Sequence, residues 1–203
     1  MKLKDCHNFE DFRKLAKKKL PSPIFHYIDG GADDEVTLNR NTSSFNDYDL
    51  VPSVLNDVSN TDMSTTVLGE KIDFPLFPAA TAMHRLYHHE GERASAKAAE
   101  KMGTIFGTST MATVSIEEIA KVNKGPKLFQ LYIHKDRGLT YEFIERCKKA
   151  KFSSLCLTID TIVAGNRERD LRSGMTMPPK FTPSSLMSFA MRPRWLYNYL
   201  THK

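Results

Sequence analysis

The stretch after Asp170 contains no aspartate or glutamate. Its charges are Arg172, Lys180, Arg192, Arg194 and Lys203, while the first 170 residues balance basic against acidic side chains. The net charge of +5 therefore belongs to the C-terminal segment, which argues against a general nucleic-acid-binding surface. The opening Met-Lys-Leu-Lys-Asp-Cys-His has no apolar core of the kind a secretory signal needs. No run reaches the roughly 18 apolar residues of a membrane-spanning helix. Cysteine is scarce: Cys6, Cys147 and Cys156 form no C-x-x-C or other zinc spacing, and their small odd number suits a reducing, cytoplasmic compartment. Cys156 lies in an apolar run and is expected to be a small core residue. Neither G-x-G-x-x-G nor a P-loop occurs, and none of His26, His84, His88, His89 or His134 has the H-E-x-x-H spacing of a metal site. These histidines are read as loop or surface residues.

What is present is ordinary globular material. The 203 residues are 40% hydrophobic and 26% charged, enough for a sizeable core. Residues 8–20 read as a helix capped by Asn8, with Phe9, Phe12, Leu15 and Leu20 as its apolar stripe. Pro21 and Pro23 interrupt it, a second helical stretch covers Ile24–Tyr27, and a third runs from Ala32 to about Phe45. Residues 64–73 suggest a hairpin turning at Gly69-Glu70. From residue 74 onward four apolar runs appear: Phe74–Ala80, Thr104–Thr108, Lys127–Ile133 and Ser154–Ile159. Helical segments at about 90–102, 115–122 and 138–150 separate them, with Gly103 as a C-cap and Ser115 with Glu118 as a capping box. The pattern is βαβαβαβ and implies a parallel α/β sheet. A doubly wound sheet and a (β/α)8 barrel both fit. The missing dinucleotide fingerprint favours the barrel, as do the polar residues gathered at the C-terminal ends of the strands. Four strands are half a barrel, which typically takes eight strands and about 250 residues. By character the chain divides into a helical and hairpin extension (1–73), a first half-barrel (74–170) and a basic, aromatic segment (171–203).

Several side chains at these strand ends can do chemistry. Gln130 and Tyr132 alternate on the third run and point the same way. Asp160 closes the fourth run, where it can orient a base or cap a helix. Arg167 can clamp a carboxylate bidentately or stand as a surface arginine in a charged loop. Tyr27 and Tyr132 can donate to a substrate or pack in the core. Ser109 and Thr158 can be ligand contacts or buried hydroxyls bonded to backbone.

Six motifs, in order and spacing, resemble the FMN-dependent L-2-hydroxy-acid dehydrogenases of the lactate dehydrogenase and glycolate oxidase type. They are Leu20-Pro21 through Phe25-His26-Tyr27-Ile28-Asp29-Gly30-Gly31-Ala32; Ala79-Ala80-Thr81-Ala82-Met83; His89-Glu90-Gly91-Glu92; Phe129-Gln130-Leu131-Tyr132; Leu157-Thr158-Ile159-Asp160-Thr161; and Gly165-Asn166-Arg167-Glu168-Arg169-Asp170. The resemblance covers about residues 8–195. It implies an incomplete TIM barrel and hydride transfer from a 2-hydroxy acid, L-lactate above others, to FMN. It implies that Ala80, Thr81, Ala82, Ser109, Gln130 and Thr158 contact the flavin, that Tyr27, Tyr132 and Arg167 bind substrate, and that Tyr132 and Asp160 act in catalysis, Asp160 by pairing with a histidine. In the family that histidine, its partner arginine, a flavin-binding lysine and the phosphate-binding loops come from strands five to eight, beyond Lys203. The 203 residues by themselves are therefore expected neither to oxidise lactate nor to hold FMN tightly. An inactive fragment, or half of a split gene that folds only with a complementary half, is the alternative. The family also implies a homo-oligomer for a full-length enzyme and a quinone or other electron acceptor. Residues 185–203 combine aromatic, methionine and basic residues without acids. That composition suits contact with an anionic membrane, on the cytoplasmic face of the inner membrane, or a cover over the barrel mouth.

Overall fold

A computed structural model describes residues 2–160 and 162–202; Thr161 and Lys203, each drawn on above, lie outside them. In chain order the regular elements are α1 (Phe9–Lys19), α2 (Ser22–Asp29), α3 (Val36–Ser43), β1 (Thr65–Val67), β2 (Glu70–Ile72), α4 (Glu92–Lys101), β3 (Phe106–Ser109), α5 (Ile116–Val122), β4 (Lys127–Leu131), α6 (Arg137–Lys149), β5 (Ser154–Leu157), α7 (Glu168–Ser173), α8 (Pro183–Ala190) and α9 (Pro193–Thr201). They fall into two compact units: Met1–Val54 with Val163–Lys203, which is helical, and Leu55–Ile162, which holds the five strands found among the described residues. This partition follows packing, where the division at residues 73 and 170 follows sequence character.

In the strand unit, β3, β4 and β5 form a parallel sheet in that order, joined by α5 and α6. It is an open arc, not a closed barrel, in keeping with an incomplete (β/α)8 fold. One face packs on the helices. Phe106 joins Ala96, Ala99, Val114 and Ile119, and Phe129 with Leu131 joins Ile116 and Cys147. Phe106 and Phe129 are almost wholly buried, which is worth about 2–3 kcal/mol each. Burial pushes the Cys147 thiol up to about 12, so it stays protonated and inert.

Two expectations change here. Phe74–Ala80 is not a regular strand. Pro75 and Pro78 lack the N–H that a ladder needs, and the segment is mostly exposed. Only one parallel bridge, Thr81 to Thr108, ties its end to β3. Cys156 is exposed rather than in the core, because β5 is the edge strand and its apolar neighbours are uncovered too: Leu155 is 45% and Leu157 52% exposed.

The local signals hold. The Asn8 side chain accepts from Asp11 N–H, and Ser115 and Glu118 form their reciprocal box. The stripe on α1 is narrower than its pattern: Leu15 and Leu20 are buried, while Phe9 and Phe12 are exposed. The hairpin turns one residue early, at Leu68-Gly69, both with positive φ, so that Val67 pairs with Glu70. In place of a helix from Ala32, residues 33 and 35 take left-handed conformations before α3 begins.

Gly103 ends α4 in the left-handed region, with its N–H on Glu100 O and Thr104 N–H on Ala99 O, a Schellman arrangement. A Cβ there would lie 2.3 Å from Asp73 Oδ2. Gly103→Ala should therefore cost at least about 1 kcal/mol, read as a lower urea midpoint with an unchanged slope.

Candidate functional site

The C-terminal ends of the three parallel strands carry a continuous polar line. The register sets Ser109 beside Gln130 and Gln130 beside Cys156, and Thr158 follows two residues later on the same side. Ser109 Oγ donates to Gln130 Oε1 at 3.2 Å, and Gln130 Nε2 donates to Thr158 Oγ1 at 2.5 Å. Thr110 supports the line from the loop. Its N–H reaches Gln130 Oε1 at 3.3 Å, its hydroxyl donates to the Gln130 carbonyl at 2.5 Å, and it accepts from Tyr132 N–H at 3.1 Å. The amide of Gln130 is thus fixed in orientation, with its oxygen toward β3 and its nitrogen toward β5. Both Gln130 and Tyr132 are half-buried, on the face away from the helices.

The segment Ala80-Thr81-Ala82 lies beside β3. The Cα of Gly107 comes so close that an added Cβ would meet Ala80 N at 3.0 Å and Pro78 O at 3.1 Å. The loop that follows is anchored by Glu92, a carboxylate only 1% exposed at the start of α4. Glu92 accepts from His84 N–H at 3.1 Å, from Thr113 N–H at 2.9 Å and from the Thr113 hydroxyl at 2.7 Å, while Met83 N–H donates to Met111 O. In the sequence Glu92 stands out only as part of the His89-Glu90-Gly91-Glu92 motif. Its signal was a lone acid at the first turn of a helix, which usually marks solvent and here marks a buried anchor.

Tyr27 and Arg167 come together in the helical unit. The Arg167 guanidinium sits 5.2 Å from the centre of the Tyr27 ring, donates to the Tyr27 carbonyl, and pairs through Nε with Asp170 Oδ2 at 2.5 Å. Around it the first and last motifs are stitched together. Arg169 NH1 bonds Asp29 at 2.9 Å, its NH2 bonds Glu35, and Asn166 donates to Asp33 at 3.0 Å. Arg13 takes both oxygens of Asp29, at 2.5 and 3.0 Å. Asp160 is exposed at the end of the strand unit. It caps no helix, since the next one, α7, begins at Glu168 with Arg167 in the cap position. The histidines are less peripheral than expected: His26 is half-buried in α2, and burial holds both it and His84 below the ordinary imidazole pKa.

The polar line and the close-packed small residues at 80–82 are what a planar, heteroatom-rich ring needs from its protein, whereas the unpartnered Thr108 hydroxyl pairs with Phe129 in the ladder and faces the helix side. A family model for FMN-dependent dehydrogenases matches residues 16–203. Glycolate oxidase of Spinacia oleracea is 41% identical across 86% of this chain and 47% of its own length. A putative L-lactate dehydrogenase of Mycobacterium tuberculosis is 39% identical across 95% and 47% respectively. Among solved structures, a monotopic membrane protein, (S)-mandelate dehydrogenase, superposes with a TM-score of 0.90 at 32% identity, covering 98% of this chain and 53% of its own. A putative lactate oxidase of Pediococcus acidilactici gives 0.80 at 31% identity, covering 92% and 52%. The fold is thus an incomplete barrel of the kind these 2-hydroxy-acid-oxidising relatives contain. The chain belongs to the FMN-dependent dehydrogenase family, and it spans about half the length of the relatives it matches.

The Asp29 carboxyl is held below its ordinary 3.8, chiefly by its hydrogen bonds from Arg13 and then by Arg169. A depressed carboxylate stabilises the fold above its ordinary pKa and loses that contribution as pH falls through the depressed value. Arg13 is half exposed, so the pair is worth up to about 1 kcal/mol. Arg13→Gln should lower the urea midpoint at pH 7, and the gap to the unsubstituted chain should close as pH drops below 3.8.

Proposed function

We propose that this chain supplies the flavin-ring and substrate-binding part of an enzyme that oxidises an L-2-hydroxy acid, L-lactate to pyruvate, with FMN as its cofactor. The hydrogen-bonded line Ser109–Gln130–Thr158 carries the reading, because it offers fixed donors and acceptors across three adjacent strand ends. Ser109, Gln130 and Thr158, with the backbone at Ala80, Thr81 and Ala82, would hold the ring. When bound, FMN supplies a two-electron acceptor for the hydrogen on the substrate's C2. Arg167, whose Nε and one NH2 hydrogen are already committed to Asp170 and the Tyr27 carbonyl, keeps the outer end of its fork for the substrate carboxylate, with Tyr27 beside it. Tyr132 would hold the substrate hydroxyl. Asp160 would stabilise the positive charge left on a base that takes the hydroxyl proton.

A fusion of this chain to the unmatched second half of the Spinacia oleracea relative tests the assignment. It should purify yellow and be bleached anaerobically by L-lactate. Arg167→Gln should raise KM for the acid at least about tenfold, and Gln130→Leu should weaken FMN without touching KM. A folded, flavin-loaded fusion that no L-2-hydroxy acid reduces sinks the proposal. The 203 residues without that half should be colourless after gel filtration. The second reading, a non-catalytic half that needs a complement, is favoured by the half-length match and the uncovered Leu155 and Leu157. It would be chosen if the fusion binds flavin but stays inert.

For the acceptor we propose a membrane quinone, reached from the cytoplasmic face. No helix among the described residues is long and apolar enough to cross a membrane. The support lies in α8 and α9, where Leu186, Met187, Met191, Tyr197 and Leu200 are each more than half exposed beside Arg192 and Arg194, and no acid is present. The fusion should co-sediment with anionic liposomes, and deleting 185–203 should abolish this; equal partitioning would remove the idea.

A further inference from the structure

A cavity of about 370 Å³ opens within the helical unit, and none of its lining residues is one assigned above to flavin or substrate. His26, Arg169, Arg172, Ser22, Ser184 and Ser185 line it, and no acidic side chain is among its lining residues. We propose that it is a binding site for a phosphate-type oxyanion, carried either by free phosphate or by a lipid headgroup.

Three features converge. The first is donor supply. Arg169 commits NH1 to Asp29 and NH2 to Glu35, and Arg172 commits NH2 to Glu168, so each guanidinium keeps further N–H groups for an acceptor. The Ser184 hydroxyl stands with them on the first turn of α8, and Ser22 opens α2, so the positive ends of two helix dipoles border the same space. The second is a responsive group. His26 lines the cavity beside the two arginines, and an oxyanion bound there would stabilise its protonated imidazole. The third is size: the space exceeds a phosphate ion and leaves room for an ester group.

The charges set the strength. Asp29, Glu35 and Glu168 offset the two arginines, and Asp170 already engages Arg167. Attraction therefore comes from aimed donors more than from net charge, and the dissociation constant should be about 1 mM. The groups acting on His26 are Arg169 and Lys17, which oppose its protonation, and Asp29 and Asp170, which favour it. A bound oxyanion adds to the second set.

The experiment is a titration of the 203-residue chain with inorganic phosphate, balanced with chloride to constant ionic strength and followed by the imidazole NMR signals of His26. A parallel titration uses short-chain phosphatidic acid against phosphatidylcholine. The expected result is a saturable shift of His26 with its pKa moving upward, weakened at least about fivefold in Arg172→Gln. The Arg172 side chain is 78% exposed, so that variant keeps the fold, and Ser184→Ala provides an independent second loss. Saturation by inorganic phosphate names a free ligand, and saturation by the lipid alone names a headgroup. Either supports the site. If neither probe saturates, or if Arg172→Gln responds like the parent, the proposal is overturned.

Discussion

The parallel register of β3, β4 and β5 is the constraint on which the strand unit's chemistry rests. Residues paired across a parallel ladder point to the same side, so setting Ser109 beside Gln130 and Gln130 beside Cys156 decides which groups can meet at the strand ends. A slip of one residue would turn Gln130 into the helix layer and bring Phe129 or Leu131 out, an exchange that the buried cluster around Phe129 opposes by several kcal/mol. The apolar face thus orients the polar one. The amide of Gln130 then needs only local partners, Ser109, Thr110 and Thr158, to be fixed in rotation.

Carboxylates anchor both units in different ways. Glu92 is buried and holds backbone N–H groups of two loops, so its energetic role is to satisfy donors that would otherwise be stranded. Asp29 and Glu35 are largely buried but hold guanidinium groups that reach solvent, so their contribution is modest and sensitive to pH. Glu35 also accepts from Gly31 N–H, and this contact bends the chain into the left-handed turn before α3. The Gly30-Gly31 pair is needed there: a Cβ on Gly30 would lie 2.7 Å from the His26 carbonyl.

Much of this was legible in the residues. Caps at Asn8, Ser115 and Gly103 fall where the pattern puts them because capping is local chemistry between neighbours in sequence. The runs at β3, β4 and β5 are legible because continuous apolar stretches between helical segments mark parallel strands, although burial then differs among them: complete on β3, alternating on β4 and slight on β5. One failure was local: Phe74–Ala80 reads as apolar enough for a strand, and its two prolines outweigh that. The others depend on distant partners. Cys156 reads as core, yet burial requires a second layer that β5 does not have here. The short helices α8 and α9 were hidden in a run of mixed composition, although Pro183 and Pro193 each sit at a first helical position and announce a start. Within the strand unit the pairing Gln130–Thr158 spans 28 residues, and within the helical unit Arg167–Tyr27 spans 140; no periodicity rule reaches that far.

The uncovered edge is itself informative about energetics. Parallel sheets are normally covered on both faces, because each strand is built from side chains that water solvates poorly. Here β3 and β4 obey this on their helix side, and β5 does not. Leu155 and Leu157 align with Phe129 and Leu131 through the ladder, so they continue the same apolar surface past the point where helices cover it. The surface therefore has the composition of an interior and the exposure of an exterior. Such a boundary gains stability when a further strand and helix close over it. The solved relatives, about half of whose length this chain matches, have the additional residues to do so. Covering β5 would bury two leucines and shield the thiol of Cys156 in one step, which makes completion of the sheet favourable on hydrophobic grounds alone.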